Sequence, residues 1–274
     1  MTTNHVEQLQ PGQGCYAFFL NAQGRILGDV NILCFDDYFL LDTEPEARQK
    51  LFEHLDRYII ADDVTVEDQT DRISTIAVEG PEASAVLAKA GAPIPDSPYA
   101  SASWGGSIVS KISSTGSDGF FIFVPAAEKS SLISKLAIPA ASEQDARVVR
   151  IENGRPRYGE EITERYLVQE TGQLQAVHFS KGCYLGQEIV ERVRSRAQIH
   201  RVLRRIEIDT QDPPPAGTKL KSGDGDAAEI ASAVYSPTFG KVIALAYTRT
   251  QFAEPGTKLM LGLAPATLSD LHGS

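Results

Sequence analysis

The stretch GCYAFFLNAQGRILGDVNILCF, residues 14–35, decides the fold at the front of the chain. Two apolar runs flank the short segment Asn21–Gly24, which is polar and ends in glycine. This pattern is typical of a hairpin turn and predicts two paired strands. The next segments predict a third strand, a helix that begins with proline, and a fourth strand: DYFLLDT (37–43), PEARQKLFEHLDRYII (45–60) and VTVED (64–68). The predicted order is β-β-β-α-β, an α+β unit.

A related order of elements follows, without sequence identity to the first. A strand at ISTIAVEG (73–80) precedes a short helix at GPEASAVLAKAG (80–91), which has proline near its start and glycine at its end. Two more strands around a turn at Thr115–Gly119 and a helix from about Ala127 complete this second half.

The C-terminal part has a different composition. Pro213–Pro215 mark a rigid boundary, and short strands beyond them alternate with glycine and proline. This pattern predicts a small all-β barrel or sandwich from about residue 200. The predicted fold class is α+β with three domains: a first α+β module (1–70), a second α+β module (71–200) and a C-terminal β-barrel (201–274).

Composition excludes several classes of function. The formal net charge of the 274 residues is -10, which argues against general nucleic-acid binding because phosphates are neutralised by a basic face. No two histidines have H-x-x-x-H spacing, so no metal site is predicted. The polar start MTTNHVEQLQ does not resemble a signal peptide, and no apolar run could span a bilayer. We therefore expect a cytoplasmic protein that does not contact membranes.

The segment FSKGCYLGQE (179–188) contains a candidate reactive thiol. Cys183 lies two residues after Lys181 and just before a predicted helix. A nearby cation and a helix N-terminus both favour the thiolate, which is the reactive form of cysteine. The alternative is a buried structural cysteine. Cys15 and Cys34 lie in apolar strands and are predicted to be core residues.

Two acidic residues are further candidates. Glu152 precedes a sharp turn in VRIENGRPRYG (149–159), among arginines at 150, 155 and 157. A carboxylate held by arginines stays ionised and can bind a heterocycle that has adjacent N–H donors. Asp29 is an acid within an apolar strand. The plainer alternatives are a solvated turn for Glu152 and an outward-facing strand position for Asp29.

The tract ERVRSRAQIHRVLRR (191–205) is rich in arginine. It is either an anion site for carboxylates or phosphates, or a solvent-facing surface that offsets an acidic protein. Both interpretations stay open for its six arginines, which are Arg192, Arg194, Arg196, Arg201, Arg204 and Arg205.

Several segments together resemble one family. KGCYLGQE (181–188) resembles the signature of the YgfZ proteins, tetrahydrofolate-binding relatives of the glycine-cleavage T-protein, an aminomethyltransferase. RIENGRPRYG (150–159) is similar to the R-I-E-x-G-x-P-x-x-G segment of that family, and NAQGRILGDVNIL (21–33) to its D-x-x-G-R-x-x-x-D segment. The resemblance covers nearly the whole chain. It implies a T-protein-like fold of two ferredoxin-like α+β modules and a C-terminal barrel, with folate in a central hole.

The resemblance also implies catalytic residues. Cys183 and Lys181 fall on the signature thiol and its lysine, and Asp29 falls in the segment that holds the catalytic aspartate of T-proteins. T-proteins have two adjacent aspartates there, whereas this chain has Gly28 before Asp29, and this departure puts aminomethyl transfer in doubt.

Binding residues follow in the same way. Glu152 falls on the glutamate that meets the pteridine in T-proteins, and Tyr158 and Arg192 are grouped with it as folate-binding candidates. The segment Thr3–Val6 resembles a phrase that usually follows a leading strand and helix, so the N-terminal part is expected to be shortened.

The implied function is a tetrahydrofolate-binding accessory protein that supports iron–sulfur cluster assembly or repair, with tRNA modification as a linked process. Its cofactor would be tetrahydrofolate, polyglutamylated forms included. Its partners would be iron–sulfur client enzymes or cluster-assembly proteins, and the protein is expected to be a monomer. One alternative is a folate-dependent aminomethyltransferase of the glycine-cleavage type. The other is a non-catalytic interaction protein with a degenerate folate site.

Overall fold

The computed structural model describes residues 1–60, 63–196 and 199–271. The chain divides into two compact units, each made of three stretches. Unit 1 comprises Met1–Phe19, Leu27–Ala140 and Gln175–Cys183, and unit 2 comprises Leu20–Ile26, Ala141–Leu174 and Tyr184–Ser274. The predicted domain limits at residues 70 and 200 stay a prediction. Among the described residues, no helix is both long and apolar enough to cross a membrane.

The first sheet contains the predicted hairpin. Its strands β1 (Gly14–Leu20), β2 (Ile26–Cys34) and β3 (Phe39–Asp42) lie in the order β1-β2-β3. In the turn, the amide of Gly24 donates to the carbonyl oxygen of Asn21 at 2.9 Å. Gly24 has a φ of +69°, which glycine adopts without a steric penalty. The predicted turn and third strand are confirmed.

Helix α1 (Pro45–Tyr58) follows β3, with its proline in the first turn as predicted. Its buried residues Ala47 and Leu51 pack against Gly28 of β2, where a Cβ would lie 2.9 Å from the Cβ of Ala47. No side chain fits at Gly28 without movement of the helix. Because successive strand residues point to opposite faces, Asp29 points away from α1.

The predicted fourth strand at residues 64–68 is wrong. This segment has no strand pairing, and Val64 is 60% exposed. Its acidic end bonds locally, since the amide of Thr70 donates to Asp68 at 3.0 Å. Val64 is therefore largely in solvent, and strand formation depends on burial as well as on propensity.

The second sheet of unit 1 has four strands in the order β4-β7-β6-β5. The elements are β4 (Ile73–Glu79), α2 (Ala83–Lys89), β5 (Ser101–Trp104), β6 (Ser107–Ser110), β7 (Gly119–Pro125) and α3 (Lys129–Leu136). The predicted hairpin of β6 and β7 is confirmed. Leu87 of α2 and Leu132 of α3 pack with the buried residues of β7 in one apolar cluster. The short, serine-containing strand β5 was not predicted.

Among its described residues, unit 2 contains two α-helices and the predicted barrel. The helices are α4 (Glu143–Glu152) and α5 (Gln187–Arg196). Six strands close the barrel in the order β10-β11-β8-β13-β12-β9: β8 (Arg201–Ile208), β9 (Lys219–Ser222), β10 (Gly225–Ser236), β11 (Lys241–Arg249), β12 (Lys258–Leu261) and β13 (Ala264–Ser269). The C-terminal barrel is therefore confirmed.

Strand β11 is buried on both faces, which explains its continuous apolar sequence. Val242 and Ala244 belong to the apolar cluster inside the barrel. Ile243 and Leu245 point the other way and pack in a cluster with Ile151 of α4. A strand covered on both sides shows an unbroken apolar run and no alternation. This packing fixes the C-terminal end of α4 on the outer wall of the barrel.

Candidate functional site

The six predicted site residues are divided between the two units. Unit 1 holds the catalytic candidates and unit 2 the folate-binding candidates: Asp29, Lys181 and Cys183 in the first, and Glu152, Tyr158 and Arg192 in the second. Their roles stay predictions, whereas their burial, hydrogen bonds and charges are defined.

Asp29 lies on the face of the first sheet opposite α1. Its side chain is 7% exposed, so its carboxylate needs partners within the protein. The hydroxyl of Tyr16 on β1 donates to Oδ2 of Asp29 at 2.6 Å. The hydroxyl of Thr43 donates to the backbone carbonyl of Asp29 at 2.6 Å. The alternative of an outward-facing acid is wrong, and Tyr16 is a partner that the sequence analysis missed.

A second carboxyl lies further along the same sheet. Asn31 of β2 pairs in register with Asp42 of β3, and its side-chain amide donates to Oδ2 of Asp42 at 2.9 Å. Burial raises the pKa of Asp42 to about 6; the Asn31 bond opposes this rise, and the charge of Glu44 adds to it. Asp42 could not be predicted from sequence, because only the β2–β3 register brings it opposite Asn31.

Lys181 holds the first residues of the chain. Its Nζ donates to the carbonyl oxygens of Thr2 and Asn4, both at 2.8 Å. Burial lowers the pKa of Lys181, and the charges of Glu7 and Cys15 oppose this change. The lysine of the KGCY segment therefore links two distant parts of unit 1. Its charge also interacts with the thiol of Cys15.

The three cysteines differ in exposure. Cys183 is exposed, Cys15 is half-buried and Cys34 is buried. The alternative of a buried Cys183 is wrong, whereas Cys34 is the core residue expected. Burial raises the pKa of Cys15 to about 11, and Lys181 opposes the rise. In the described part of the chain, no group of three or more His, Cys, Asp or Glu residues is arranged to hold a metal ion.

Glu152 ends helix α4, whose N-cap Ser142 forms a capping box with Asp145. The hydroxyl of Ser236 on β10 donates to Oε1 of Glu152. Arg150 was expected to hold this carboxylate, but it is buried and donates to Glu161 at 2.8 and 3.1 Å. Arg150 is therefore committed to a different acid, and a serine contacts Glu152.

The turn after Glu152 needs glycine. Gly154 has a φ of +64°, and a Cβ there would lie 1.5 Å from the carbonyl oxygen of Leu271. Four residues later, Tyr158 is 5% exposed and forms an isolated bridge with Ile162. Tyr158 is thus an interior residue of unit 2, and its contact with folate stays a prediction.

Most described arginines of the tract pair with acids. The pairs are Arg192–Glu188, Arg194–Glu191, Arg201–Glu170 and Arg205–Glu207. Arg204 donates to the carbonyl oxygen of Ala253 at 2.9 Å, and the side chain of Arg196 lies outside the described residues. Arg192 is 49% exposed. The pairs of the exposed Arg192 and Arg194 favour the surface-charge interpretation, whereas Arg205 is buried. Folate binding by Arg192 stays a prediction.

Known proteins share this architecture. The glycine cleavage system aminomethyltransferase T from Bartonella henselae has a structure with a TM-score of 0.86 to this chain, at 22% identity, and the match covers 98% of this chain and 78% of that one. The predicted T-protein-like fold is confirmed.

Sequence comparisons agree with the fold. Aminomethyltransferases of Rubrobacter xylanophilus (strain DSM 9941) and Aquifex aeolicus (strain VF5) are 30% and 29% identical; the matches cover 97% and 94% of this chain and 73% and 72% of theirs. Residues 1–181 match the GCVT N-terminal domain, and residues 201–269 match the glycine cleavage T-protein C-terminal barrel domain. These matches support the T-protein family as a whole and do not single out its YgfZ relatives. The chain belongs to the glycine cleavage T-protein (GCVT) family.

Proposed function

We propose that this protein binds tetrahydrofolate and acts as a folate-dependent aminomethyltransferase of the glycine-cleavage type. The family match carries the proposal, because it runs through both the N-terminal domain and the barrel. Relatives that are 29–30% identical over nearly the whole chain bear the name aminomethyltransferase. This function now ranks above the accessory role in iron–sulfur assembly.

The surroundings of Asp29 support a catalytic carboxylate. The Tyr16 hydroxyl fixes one oxygen at 2.6 Å, and a fixed carboxylate can accept a proton or stabilise positive charge that develops on a one-carbon group. Gly28, where T-proteins have a second aspartate, is packed against α1. The chemistry would therefore rest on one carboxylate at this point of β2.

The surroundings of Glu152 support a binding carboxylate. A carboxylate has about four acceptor sites, and Ser236 uses one of them. The remaining acceptors suit adjacent N–H donors such as those of a pteridine. The packing of α4 on the barrel wall would hold this carboxylate in place.

Calorimetric titration with tetrahydrofolate, together with reconstituted glycine cleavage, tests the proposal. We expect saturable binding and turnover. Asp29→Asn keeps an acceptor for Tyr16, so it should retain binding and lower turnover by at least about 100-fold, the size of a lost acid–base group. Glu53→Gln, an exposed change on α1, should alter neither. Binding without turnover by the unaltered protein would reject the transfer reaction, and absence of saturable binding would reject the folate site.

Exposure of Cys183 favours a second candidate function, the accessory role in iron–sulfur assembly implied by the KGCYLGQE segment. An exposed thiol is available to partners, as such a role requires. In a strain that lacks its own family member, Cys183→Ala should then fail to restore iron–sulfur enzyme activity, whereas Cys34→Ser should restore it. Full rescue by Cys183→Ala would reject this candidate and leave the transferase proposal standing.

A further inference from the structure

Asp42 lies beside Asp29 on one face of the first sheet. Asp29 and Asn31 are two positions apart on β2 and so point to the same face, and Asn31 pairs in register with Asp42 on β3. The hydroxyl of Thr43, the residue after Asp42, donates to the backbone carbonyl of Asp29 at 2.6 Å. Asp42 is therefore the diagonal neighbour of Asp29, and the Cβ atoms of such neighbours lie no more than about 7 Å apart.

The carboxylate of Asp42 has one oxygen fixed and one oxygen available. The side-chain amide of Asn31 donates to Oδ2 at 2.9 Å. No second donor among the described residues bonds to this carboxylate, and the side chain is half-buried, so a ligand can reach Oδ1. The next pair along the ladder is Leu33 and Leu40, which pack in an apolar cluster. Because apolar surroundings screen charge weakly, they strengthen any charge interaction that Asp42 makes.

No positive charge in the described part of the chain pairs with Asp42. The acids near it are Glu44, at the start of α1, and Asp29, which accepts from Tyr16 on β1. Burial, with a smaller contribution from Glu44, raises the pKa of Asp42 to about 6, so the group is mostly ionised at neutral pH at a cost to stability. A carboxylate that costs stability and has no counter-ion within the protein suits a cationic ligand.

We propose that Asp42, held by Asn31, binds the cationic amino group of the one-carbon donor, while Asp29 faces its carbon. This inference rests on the proposed transferase function. An aminomethyl group has one carbon and one nitrogen, so it fits between two short carboxylates at diagonal positions of a sheet. An ammonium group donates strong hydrogen bonds to a carboxylate. Asp42 therefore orients the aminomethyl group and selects a donor with a primary amine.

Binding of methylammonium tests the amine site without folate or turnover. We expect a saturable shift of the Asn31 side-chain amide resonance in NMR spectra of the full-length protein at pH 7.5. Tetramethylammonium has the same charge but no N–H donor, so it should bind at least about tenfold more weakly, a factor that one charge-assisted hydrogen bond provides. Equal binding of the two cations would reduce the site to general charge attraction and overturn the inference.

Variants at two acids show whether the shift depends on Asp42. Asp42→Asn should abolish the methylammonium shift. This variant loses a half-buried charge that has no counter-ion, so it should fold at least as stably as the unaltered protein. Asp36→Asn removes an exposed acid just before β3 and should retain the shift. An unchanged shift in Asp42→Asn would contradict the inference.

The kinetics of aminomethyl transfer test the same contact in the reaction. Asp42→Asn should raise KM for the aminomethyl donor at least about tenfold and leave the Kd of tetrahydrofolate unchanged. Asp42→Glu keeps the charge and should recover part of the loss. In the unaltered protein, KM should also rise as pH falls through about 6, because a proton then competes with the amine for Asp42. Asp42→Asn should lack this rise.

Two outcomes separate the role of Asp42 from the function on which it rests. A normal KM in Asp42→Asn, with turnover intact, would overturn the role of Asp42 and leave the transferase standing. Absence of turnover in the unaltered protein, together with methylammonium binding that requires Asp42, would reject the transferase and support the amine site.

Discussion

Cys183 should react faster than Cys15, because the two thiols differ in burial. Burial raises the pKa of Cys15 to about 11, so at pH 7.5 fewer than about one molecule in a thousand carries the reactive thiolate there. Cys183 is exposed and Cys34 is buried. We expect iodoacetamide to alkylate Cys183 first and nearly alone, as measured by mass spectrometry of peptides over time. Labelling in urea should make all three cysteines reactive, and comparable native rates for Cys15 and Cys183 would contradict the prediction.

Asp42 should make the protein more stable at mildly acidic pH. Its pKa is about 6 in the folded state and about 3.8 when unfolded, so the folded state binds the proton more tightly. The free energy of unfolding should therefore fall as pH rises from about 4 to 6. Asp42→Asn mimics the protonated form, so it should raise the free energy of unfolding at pH 7.5 by about 1–2 kcal/mol, allowing for partial exposure.

Urea unfolding of the Asp42→Asn protein at several pH values checks this result. The gain should shrink as pH falls through 6 and should disappear near pH 3. Asp36→Asn removes a charge from an exposed position just before β3 and serves as the control without a pH-dependent gain. A gain of the same size at every pH would show that the titration of Asp42 is not the cause.

Candidate site residues could be predicted from sequence where the residue type itself is unusual for its position. Their hydrogen-bond partners could not be predicted, because these come from distant parts of the chain. The sequence indicated Asp29 and Cys183 because an acid in an apolar strand and a cysteine beside lysine and glycine are unusual. It could not indicate the partners of Lys181, because Thr2 lies 179 positions away in the chain. The partner of Glu152 was likewise a serine 84 positions away, and local arginines were inferred in its place.

At the scale of elements, the turn after α4 makes a sharp stability prediction. Gly154→Ala should lower the free energy of unfolding by at least about 3 kcal/mol, because the new Cβ would overlap the Leu271 carbonyl oxygen in addition to straining the backbone. Gly217 has a similar φ, +86°, and no atom within 4 Å of its Cβ position. Gly217→Ala should therefore cost only the backbone strain, about 1–2 kcal/mol. Equal losses in urea unfolding would show that Leu271 simply moves aside.

The elements themselves were largely predictable from local patterns. Polar turns with glycine located two hairpins, and proline marked the start of α1. The pattern failed for residues 64–68, where two valines alternate with polar residues but form no strand pairing. It also failed for β5, whose SASW sequence has too few apolar residues to stand out. Pairing decides both cases, and pairing is a property of the whole sheet.

At the scale of the whole molecule, the order of distant segments carried the prediction. The segments at 21–33, 150–159 and 181–188 resemble the family in sequence and in order, and the fold and family followed from that. The choice between a transferase and an accessory protein did not follow, since it rests on eight residues around Cys183. The comparisons over nearly the full chain favour the aminomethyltransferase, whereas that short segment resembles the YgfZ signature.

Ligand binding by the native state should stabilise the whole molecule, and Glu152 should govern how much. Tetrahydrofolate at 100 times its Kd would raise the free energy of unfolding by about 2.7 kcal/mol. Loss of one charge-assisted hydrogen bond in Glu152→Gln should raise Kd about tenfold or more, which leaves about 1.4 kcal/mol of that gain at the same concentration.

The variant keeps an oxygen for Ser236, so its unfolding temperature without ligand should stay close to that of the unaltered protein. Glu143→Gln removes a carboxylate from the other end of α4 and is the matched control. Thermal unfolding with and without tetrahydrofolate measures both effects, and an equal ligand-induced shift in the two variants would remove Glu152 from the folate site.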